Sequence, residues 1–200
     1  MFQSQDADLL IWTLIRRYCA VLWMDNLDLF KSTLERIALA QYKEQKDPFS
    51  ALLYYVMLGK RNVVAMLFKK ETQSRPEFKN TYEFLSKDFT EERWKSAASK
   101  NAYALLAKKR YQDACAFFLL GGHLGDAVNV IAVYMEDIQL ALLCARIFEA
   151  GRAEQPITSK IIEDYFIKTG ETMNDIWLLH IGYHLMGRHV DSLNALYRTS

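Results

Sequence analysis

The stretch "HIGYH" puts His180 and His184 four residues apart, on one face of a helix and at the spacing that lets two imidazoles share a metal ion. A zincin carries glutamate directly after the first histidine, to act as general base, whereas Ile181 stands there in this chain. Completing a zinc site would need further ligands, for which His189 and Asp191 are the nearby donors. Two histidines without a matched third ligand read as packing or surface residues, so no metal is expected. A second candidate is "FFLLGGHLGDAVNVI", Phe117 to Ile131, where Gly121, Gly122 and Gly125 lie between two apolar runs. A phosphate loop and the corner between two helices both use glycine for its freedom at positive φ, so the flanks decide. The sequence before it, "YQDACAFFLL", has helical spacing, and no lysine followed by a hydroxyl residue is present. Gly121 and Gly122 are expected to end one helix, His123 and Leu124 to form the corner, and Asp126 to start the next.

Other reactive side chains are scattered. Glu136 and Asp137 are adjacent, which points their carboxylates in different directions and makes them poor partners for acid–base chemistry. Neither a serine nor a cysteine stands in a nucleophile motif. Cys19, Cys115 and Cys144 are an odd number without C-x-x-C spacing, each inside an apolar helical pattern, as expected of buried reduced thiols in the cytosol. Catalytic, cofactor-binding and metal residues are all expected to be absent. Among the aromatic residues, Trp12, Trp23 and Tyr54 are the candidates for an exposed binding groove.

The elements that must position these residues are helices. Across 200 residues, 51% hydrophobic with 25 Lys and Arg against 24 Asp and Glu, the sequence shows no sustained period-two alternation and only three prolines. A net charge of +1 leaves no electrostatic footprint for nucleic acid, and Arg16-Arg17 and Lys108-Lys109-Arg110 read as solvated helix ends. The run "LLIWTLIRRYCAVLWM" is interrupted by Arg16 and Arg17, so it is too charged to span a bilayer. It also fails as a signal peptide, because Asp6 and Asp8 stand where a basic region belongs. A soluble, intracellular chain is the expectation.

Helical spacing predicts helices at about 6–24, 27–45, 48–58, 61–70, 76–87, 91–108, 111–120, 126–134, 138–150, 158–169, 174–186 and 190–198. Thr90 is the expected cap of "FTEERW", with Phe89 stapled onto Trp94. Asp47-Pro48 opens a helix that Gly59 closes, and Asp137 caps the run that ends at Gly151. In "IQLALLCARIF", Ile138, Ala141, Leu142, Ala145 and Phe148 form one apolar face and Leu140, Leu143, Cys144 and Ile147 another, which places that helix between two layers. The polar "KKETQSRPEFKN", Lys69 to Asn80, suggests a flexible connection. The expected division is an N-terminal helical part at 1–70, a connection at 71–89 and a C-terminal part at 90–200, with one continuous domain as the alternative. "LGKRNVVAML", "AKKRYQDACAF", "GGHLGDAVNV" and "MGRHVDSLNAL" repeat one plan: an apolar helix, a short basic or glycine-containing corner, then a small or acidic residue opening the next helix. Helix-corner-helix units of irregular spacing imply an all-α fold, an irregular α-solenoid of stacked helical hairpins.

The segments "KDPF", "ERWKSAASKNAYALLAKKRY", "AFFLLGG" and "MEDIQLAL", within Gln41 to Glu149, carry a resemblance to a known family. This region resembles the helical part of the large subunit of the RAVE complex, the family that includes the DmX-like proteins called rabconnectins. The resemblance implies a non-enzymatic scaffold that promotes assembly of the vacuolar proton-translocating ATPase and so aids organelle acidification. The implied partners are soluble-sector or stalk subunits of that pump and other RAVE-like subunits, with no nucleic acid and no direct membrane insertion. The implied location is the cytoplasm, peripherally associated with endomembranes. Family members combine amino-terminal propellers with a solenoid, so the chain is expected to be a piece of a longer protein, opening at Met1 and continuing past "NALYRTS". The alternative is a coat-like vesicle-trafficking solenoid, since coat subunits share that plan.

Overall fold

The computed structural model describes residues 4–197, the first six of them as backbone only. Met1 and Arg198–Ser200 lie outside the described residues, and with them the expected ends of the chain and of its last helix. The chain runs through α1 (Ser4–Arg17), α2 (Ala20–Trp23), α3 (Leu27–Gln45), α4 (Phe49–Met57), α5 (Arg61–Glu71), α6 (Phe78–Leu85), α7 (Glu92–Ala107) and α8 (Tyr111–Leu120). It continues through α9 (Leu124–Val133), α10 (Ile138–Glu149), α11 (Pro156–Ile162), a π-helical turn at Glu163–Ile167, α12 (Lys168–Met173), α13 (Ile176–Leu185) and α14 (His189–Leu196). No strand occurs among the described residues, and the fold is the expected all-α stack.

Sequence neighbours pack as hairpins: α3 on α4, α5 on α6, α7 on α8, α8 on α9, α9 on α10 and α13 on α14. Hairpins are joined across the stack where α4 meets α8 and α10. These inner helices are apolar around their circumference, so neighbours must cover them on both sides. Every residue from Ala51 to Met57 in α4 and from Leu140 to Ala145 in α10 is buried, as the two apolar faces of "IQLALLCARIF" require.

The four repeated corners share one backbone geometry. Gly59, Lys109, Gly122 and Gly187 all take positive φ, at 68°, 59°, 80° and 70°. The next residue in each case donates its N–H five residues back: Lys60 to Tyr55 O, Arg110 to Leu105 O, His123 to Phe118 O and Arg188 to Tyr183 O, at 2.8–3.0 Å. This is the Schellman closure, which satisfies the carbonyls a helix leaves orphaned at its end. The residue that closes it also serves as the cap of the following helix, so two helices meet with no loop between them. Three corners add a base–acid pair spanning the first turn: Arg110 with Asp113, His123 with Asp126 and Arg188 with Asp191.

Several expected boundaries move, each for a physical reason. The helix expected at 6–24 breaks at Cys19, whose φ is 51°. The break turns α2 onto α10 and frees the carbonyls of Val21 and Met24 to accept from Arg146 Nη1 at 2.8 and 3.4 Å. Thr90 does not cap α7; its N–H donates to Asp88 Oδ1 at 2.9 Å, and Glu91 takes the cap position. Phe89 and Trp94 do not face each other as a staple; both lie edge-on to Phe84, at 5.4 and 6.2 Å between centroids. Leu124, expected in the corner, is the first residue of α9, with His123 at its cap. The helix expected from 158 begins at Pro156, which suits a first-turn position because it has no N–H to leave unpaired. It then continues through the π turn to Met173. Asp47 and Gly59 do what was expected of them, Asp47 Oδ1 accepting from Phe49 N at 3.0 Å and Gly59 ending α4.

Between α5 and α7, α6 is fixed by aromatic packing. Phe78 sits edge-on to Phe68 and Phe49, with centroids 5.5 and 5.9 Å apart. Tyr42 Oη donates to Glu71 Oε1 at 2.6 Å, holding the end of α5 against α3.

The corners make a matched pair of predictions. Gly122 has open space where a Cβ would stand, so Gly122→Ala isolates the left-handed strain and is expected to cost about 1–2 kcal/mol. Lys109→Gly relieves the same strain at the cost of about 0.5–1 kcal/mol in unfolded-state entropy, so its net effect is expected near zero or stabilising. Urea unfolding of both variants followed by circular dichroism checks the pair; equal effects of the same sign would contradict the shared corner geometry.

Candidate functional site

The glycine corner spends its own N–H donors on closing α8. Gly121 N, Gly122 N and His123 N donate to the carbonyls of Phe117, Leu119 and Phe118 at 3.0, 3.1 and 2.9 Å. A helix lies on each side of it. The two glycines are required for different reasons. Gly122 holds the positive φ, whereas a Cβ on Gly121 would stand 2.5 Å from Ser99 Oγ and 3.2 Å from Lys95 O. Gly121 therefore marks a close approach of the end of α8 to α7.

The histidines do gather, though not as ligands. His180 Nδ1 faces Ser192 Oγ at 2.8 Å and Ser192 O at 3.0 Å, which ties α13 to α14. His184 lies between His180 and His189, with ring centroids 6.4 and 5.7 Å away, and 6.4 Å from the Trp23 ring. Asp191 is engaged by Arg188 Nε at 2.7 Å. Among the described residues no group of three or more metal-ligating side chains converges.

Asp137 does more than cap its helix. Oδ1 accepts from Leu140 N at 3.0 Å, as expected of a cap, while Oδ2 accepts from Trp12 Nε1 at 3.2 Å and lies 3.5 Å from Arg16 Nε. Gln139 Nε2 donates to Arg16 O at 2.9 Å, and Arg146 Nη2 pairs with Asp25 at 2.9 Å. The start of the chain is thus held on both ends of α10. Glu149 continues the series at 1% exposure: its two oxygens accept from Ile157 N and Thr158 N, both at 2.9 Å, and so cap α11 from the neighbouring helix. Glu136, by contrast, takes a positive φ of 53° in the turn before α10. Glu136 is exposed while Asp137 is buried, so the two carboxylates lie in different surroundings.

Of the three aromatic candidates, Trp12 is partly buried and occupied by Asp137, and Tyr54 is buried, with desolvation pushing its phenol above the ordinary range. Trp23 remains half exposed. Cys115 and Cys144 are buried as expected. Burial pushes the Cys115 thiol up to about 12 and raises Cys144 as well. Cys19 departs from the expectation, since it stands in the corner between α1 and α2 and is only partly buried.

Grooves open between the helices. One of about 840 Å³ lies between the α3–α4 corner and the starts of α6 and α8, and one of about 410 Å³ lies between α6 and α7. A third, of about 640 Å³, separates α9 from α11. Asp113 borders the first and is held above the usual carboxylate range by burial, which the Arg110 guanidinium only partly offsets.

Helical hairpins stacked on their sequence neighbours, with the four repeated corners closed by backbone hydrogen bonds, define an all-α fold of the α-solenoid class. The chain belongs to the family described as RAVE protein 1 C terminal, which it matches over residues 1–199. It is 32% identical over 184 residues to DmX-like protein 1 of Mus musculus, covering 92% of this chain and 6% of that protein. It is 31% identical over 198 residues to Regulator of V-ATPase in vacuolar membrane protein 1 of Saccharomyces cerevisiae, covering 98% of this chain and 14% of that protein. The Schizosaccharomyces pombe protein of the same name is 31% identical over 189 residues, covering 94% and 14%. The chain therefore spans a small part of the length of these relatives. Among the described residues no helix is long and apolar enough to cross a membrane.

Two predictions follow from the buried groups. Asp137→Ala removes the α10 cap and strands the Trp12 indole donor, at an expected cost of about 2 kcal/mol or more. Amide exchange across α1 should accelerate more than across α13, because α1 loses its anchor. For the thiols, the reactive species is the thiolate, so burial that raises the pKa suppresses attack at any pH below the raised value. Iodoacetamide at about pH 7 to about pH 9 should label Cys19 in the folded protein and reach Cys115 and Cys144 only after denaturation. Mass spectrometry of the alkylated peptides reads the order.

Proposed function

We propose that this chain is a scaffold segment of a RAVE-like complex that promotes assembly of the vacuolar proton-translocating ATPase, and thereby organelle acidification. The observation that carries the reading is the family match over residues 1–199, supported by relatives whose names make them regulators of the V-ATPase in the vacuolar membrane. The fold suits that work. Stacked hairpins present a long surface able to hold two partners at a fixed separation, while small rotations at each corner allow flexing. Its partners in this reading are proteins, namely soluble-sector or stalk subunits of the pump and the other subunits of the complex. It acts in the cytoplasm, reaches endomembranes through those partners, and catalyses no reaction itself.

The experiment is deletion of residues 91–150 from the full-length protein, which removes α7 to α10. Recovery of assembled pump after dissociation is expected to fall, and organelle acidification with it, when the deleted protein is expressed at the normal level. Normal recovery at normal expression would refute the role of this segment while leaving its family membership untouched.

A further inference from the structure

The near balance of charge over the whole chain conceals a strong separation. Residues 60–110 hold thirteen Lys and Arg against six Asp and Glu, a net +7, while the rest of the chain holds twelve against eighteen, a net −6. That basic span is α5, α6, α7 and the corner after α7. Cations on helices are ordinarily neutralised by carboxylates three or four residues away, and some here are, as with Lys79 and Glu83 or Lys95 and Glu92. Among the described residues, Lys87, Lys100, Lys108 and Lys109 make no ion pair, and Lys69, Lys70 and Arg75 are engaged over aromatic rings and not by acids.

Two of these cations, Lys108 and Arg110, line a cleft with the chemistry of a peptide site. Between α6 and α7, the groove of about 410 Å³ is floored by aromatic and aliphatic side chains, including Phe84 stacked on Phe117 at 5.6 Å. Its rim carries Asn80, Asn101, Lys108 and Arg110 and no carboxylate. The amides of Asn80 and Asn101 make no hydrogen bond within the described residues, and Lys108 is exposed. Arg110 is fixed in place, with Cζ 4.5 Å from the Phe49 ring centroid and Nε and Nη2 on Asp113 at 2.7 and 2.6 Å. The same arginine borders the larger adjoining groove, where Arg75 and Lys109 share the lining with Asp47, Glu77 and Asp113, so the carboxylate-free rim is confined to the cleft between α6 and α7.

We infer that the cleft between α6 and α7 is a docking site for a short acidic segment of a partner protein, one that places an aromatic or aliphatic side chain beside its carboxylates. The floor accepts the apolar side chain, which supplies affinity by burial. Lys108 and the rim amides meet the carboxylates and the peptide backbone, which orients the segment and speeds its capture. A continuous polyanion fits less well, because exposed Glu83, Glu91 and Glu92 on the same two helices and the turn before α7 would repel a phosphate chain. A lipid surface needs a flat or convex face, and this site is concave. The inference concerns recognition by this chain alone and stands whether or not the partner belongs to the proton pump.

The test is selection from a random peptide library on the 200-residue chain, followed by titration of the best fluorescein-labelled peptide. Acidic peptides with a neighbouring aromatic or aliphatic residue are expected to be enriched, and their binding to weaken as salt rises. Lys108→Glu is expected to raise the Kd on the order of tenfold. Ala104→Phe, which fills the cleft from an exposed position on α7, is expected to abolish binding. Both variants must keep the circular dichroism spectrum and melting temperature of the parent, and Lys160→Glu on α11 should leave the affinity unchanged. Enrichment of neutral or basic peptides, no enrichment at all, or affinity indifferent to both cleft substitutions would each overturn the proposal. So would vesicles of phosphatidylserine, or single-stranded RNA, binding through Lys108 where no peptide does.

Discussion

A helix of about ten residues that is apolar on all sides has to be covered on all sides, and that requirement depends on how abruptly the chain can reverse. In this protein reversal takes a single left-handed residue, at Gly59, Lys109, Gly122 and Gly187, with the following N–H donated five residues back. The last carbonyls of one helix are satisfied and the next helix begins at once, so no buried polar loop has to be accommodated between the layers. Longer connections would separate α8 from α9, whose contact is close enough for Cys115 Sγ to lie 3.5 Å from Ala127 O. Lys109 shows how strongly the position is imposed: a lysine occupies the conformation that glycine fills at the other three corners.

Corners order neighbours in sequence but say little about segments a hundred residues apart. That task falls to charged groups on the central helix α10. Asp137 at its start holds Trp12 and Arg16, Arg146 near its end holds the carbonyls of α2, and Glu149 at its last residue caps α11. Exposed ion pairs such as Lys31 with Asp28 contribute about 0–1 kcal/mol. The contacts of Asp137 and Glu149 differ because these carboxylates are 7% and 1% exposed and accept from donors that have no other partner. Removing either group leaves buried N–H groups unmet, which is costlier than the net worth of the bond itself.

The difference between these two devices explains what could be read from the sequence. The corners are local, so "AKKRY", "GGHLG" and "MGRHV" announce them, and the double apolar face of "IQLALLCARIF" is enough to place α10 between layers. Asp137 is recognisable as a cap for the same reason, since its Leu140 partner is three residues away. Its contact with Trp12 spans 125 residues, and no spacing in the sequence encodes it. The break at Cys19 follows from that docking, because local propensity favours an unbroken helix and only the approach to α10 makes the turn worthwhile. Thr90 misled for a subtler reason: Asp88, two residues earlier, captures its N–H and shifts the helix start by one position. The histidines were legible as a helical pair but not as a packed group, since Trp23 and His189 reach them from other helices.

Where the fold consumes its polar groups and where it leaves them idle divides the molecule into two kinds of surface. Around α10 nearly every donor and acceptor is engaged in holding segments together, so substitutions there act through stability. Along α5 to α7 the aromatic rings are edge-packed beneath, and cations lie over them from outside, Arg61 over Phe89 at 5.0 Å and Arg93 over Trp94 at 4.7 Å. Arg93 also pairs with Glu91 at 2.7 Å, whereas Lys87, over Trp94 at 5.2 Å, and Lys108 make no ion pair among the described residues, which leaves their charge available to a partner. A scaffold needs both kinds of surface: a stack whose hairpins stay joined while its corners flex, and a face whose charge is not already spent on the stack. The carboxylates that hold distant segments lie at the ends of α10 and the exposed Lys108 lies at the end of α7, so Lys108 can vary without loosening the contacts of α10. Arg110, which closes a corner and also lines the cleft, cannot be changed without touching both.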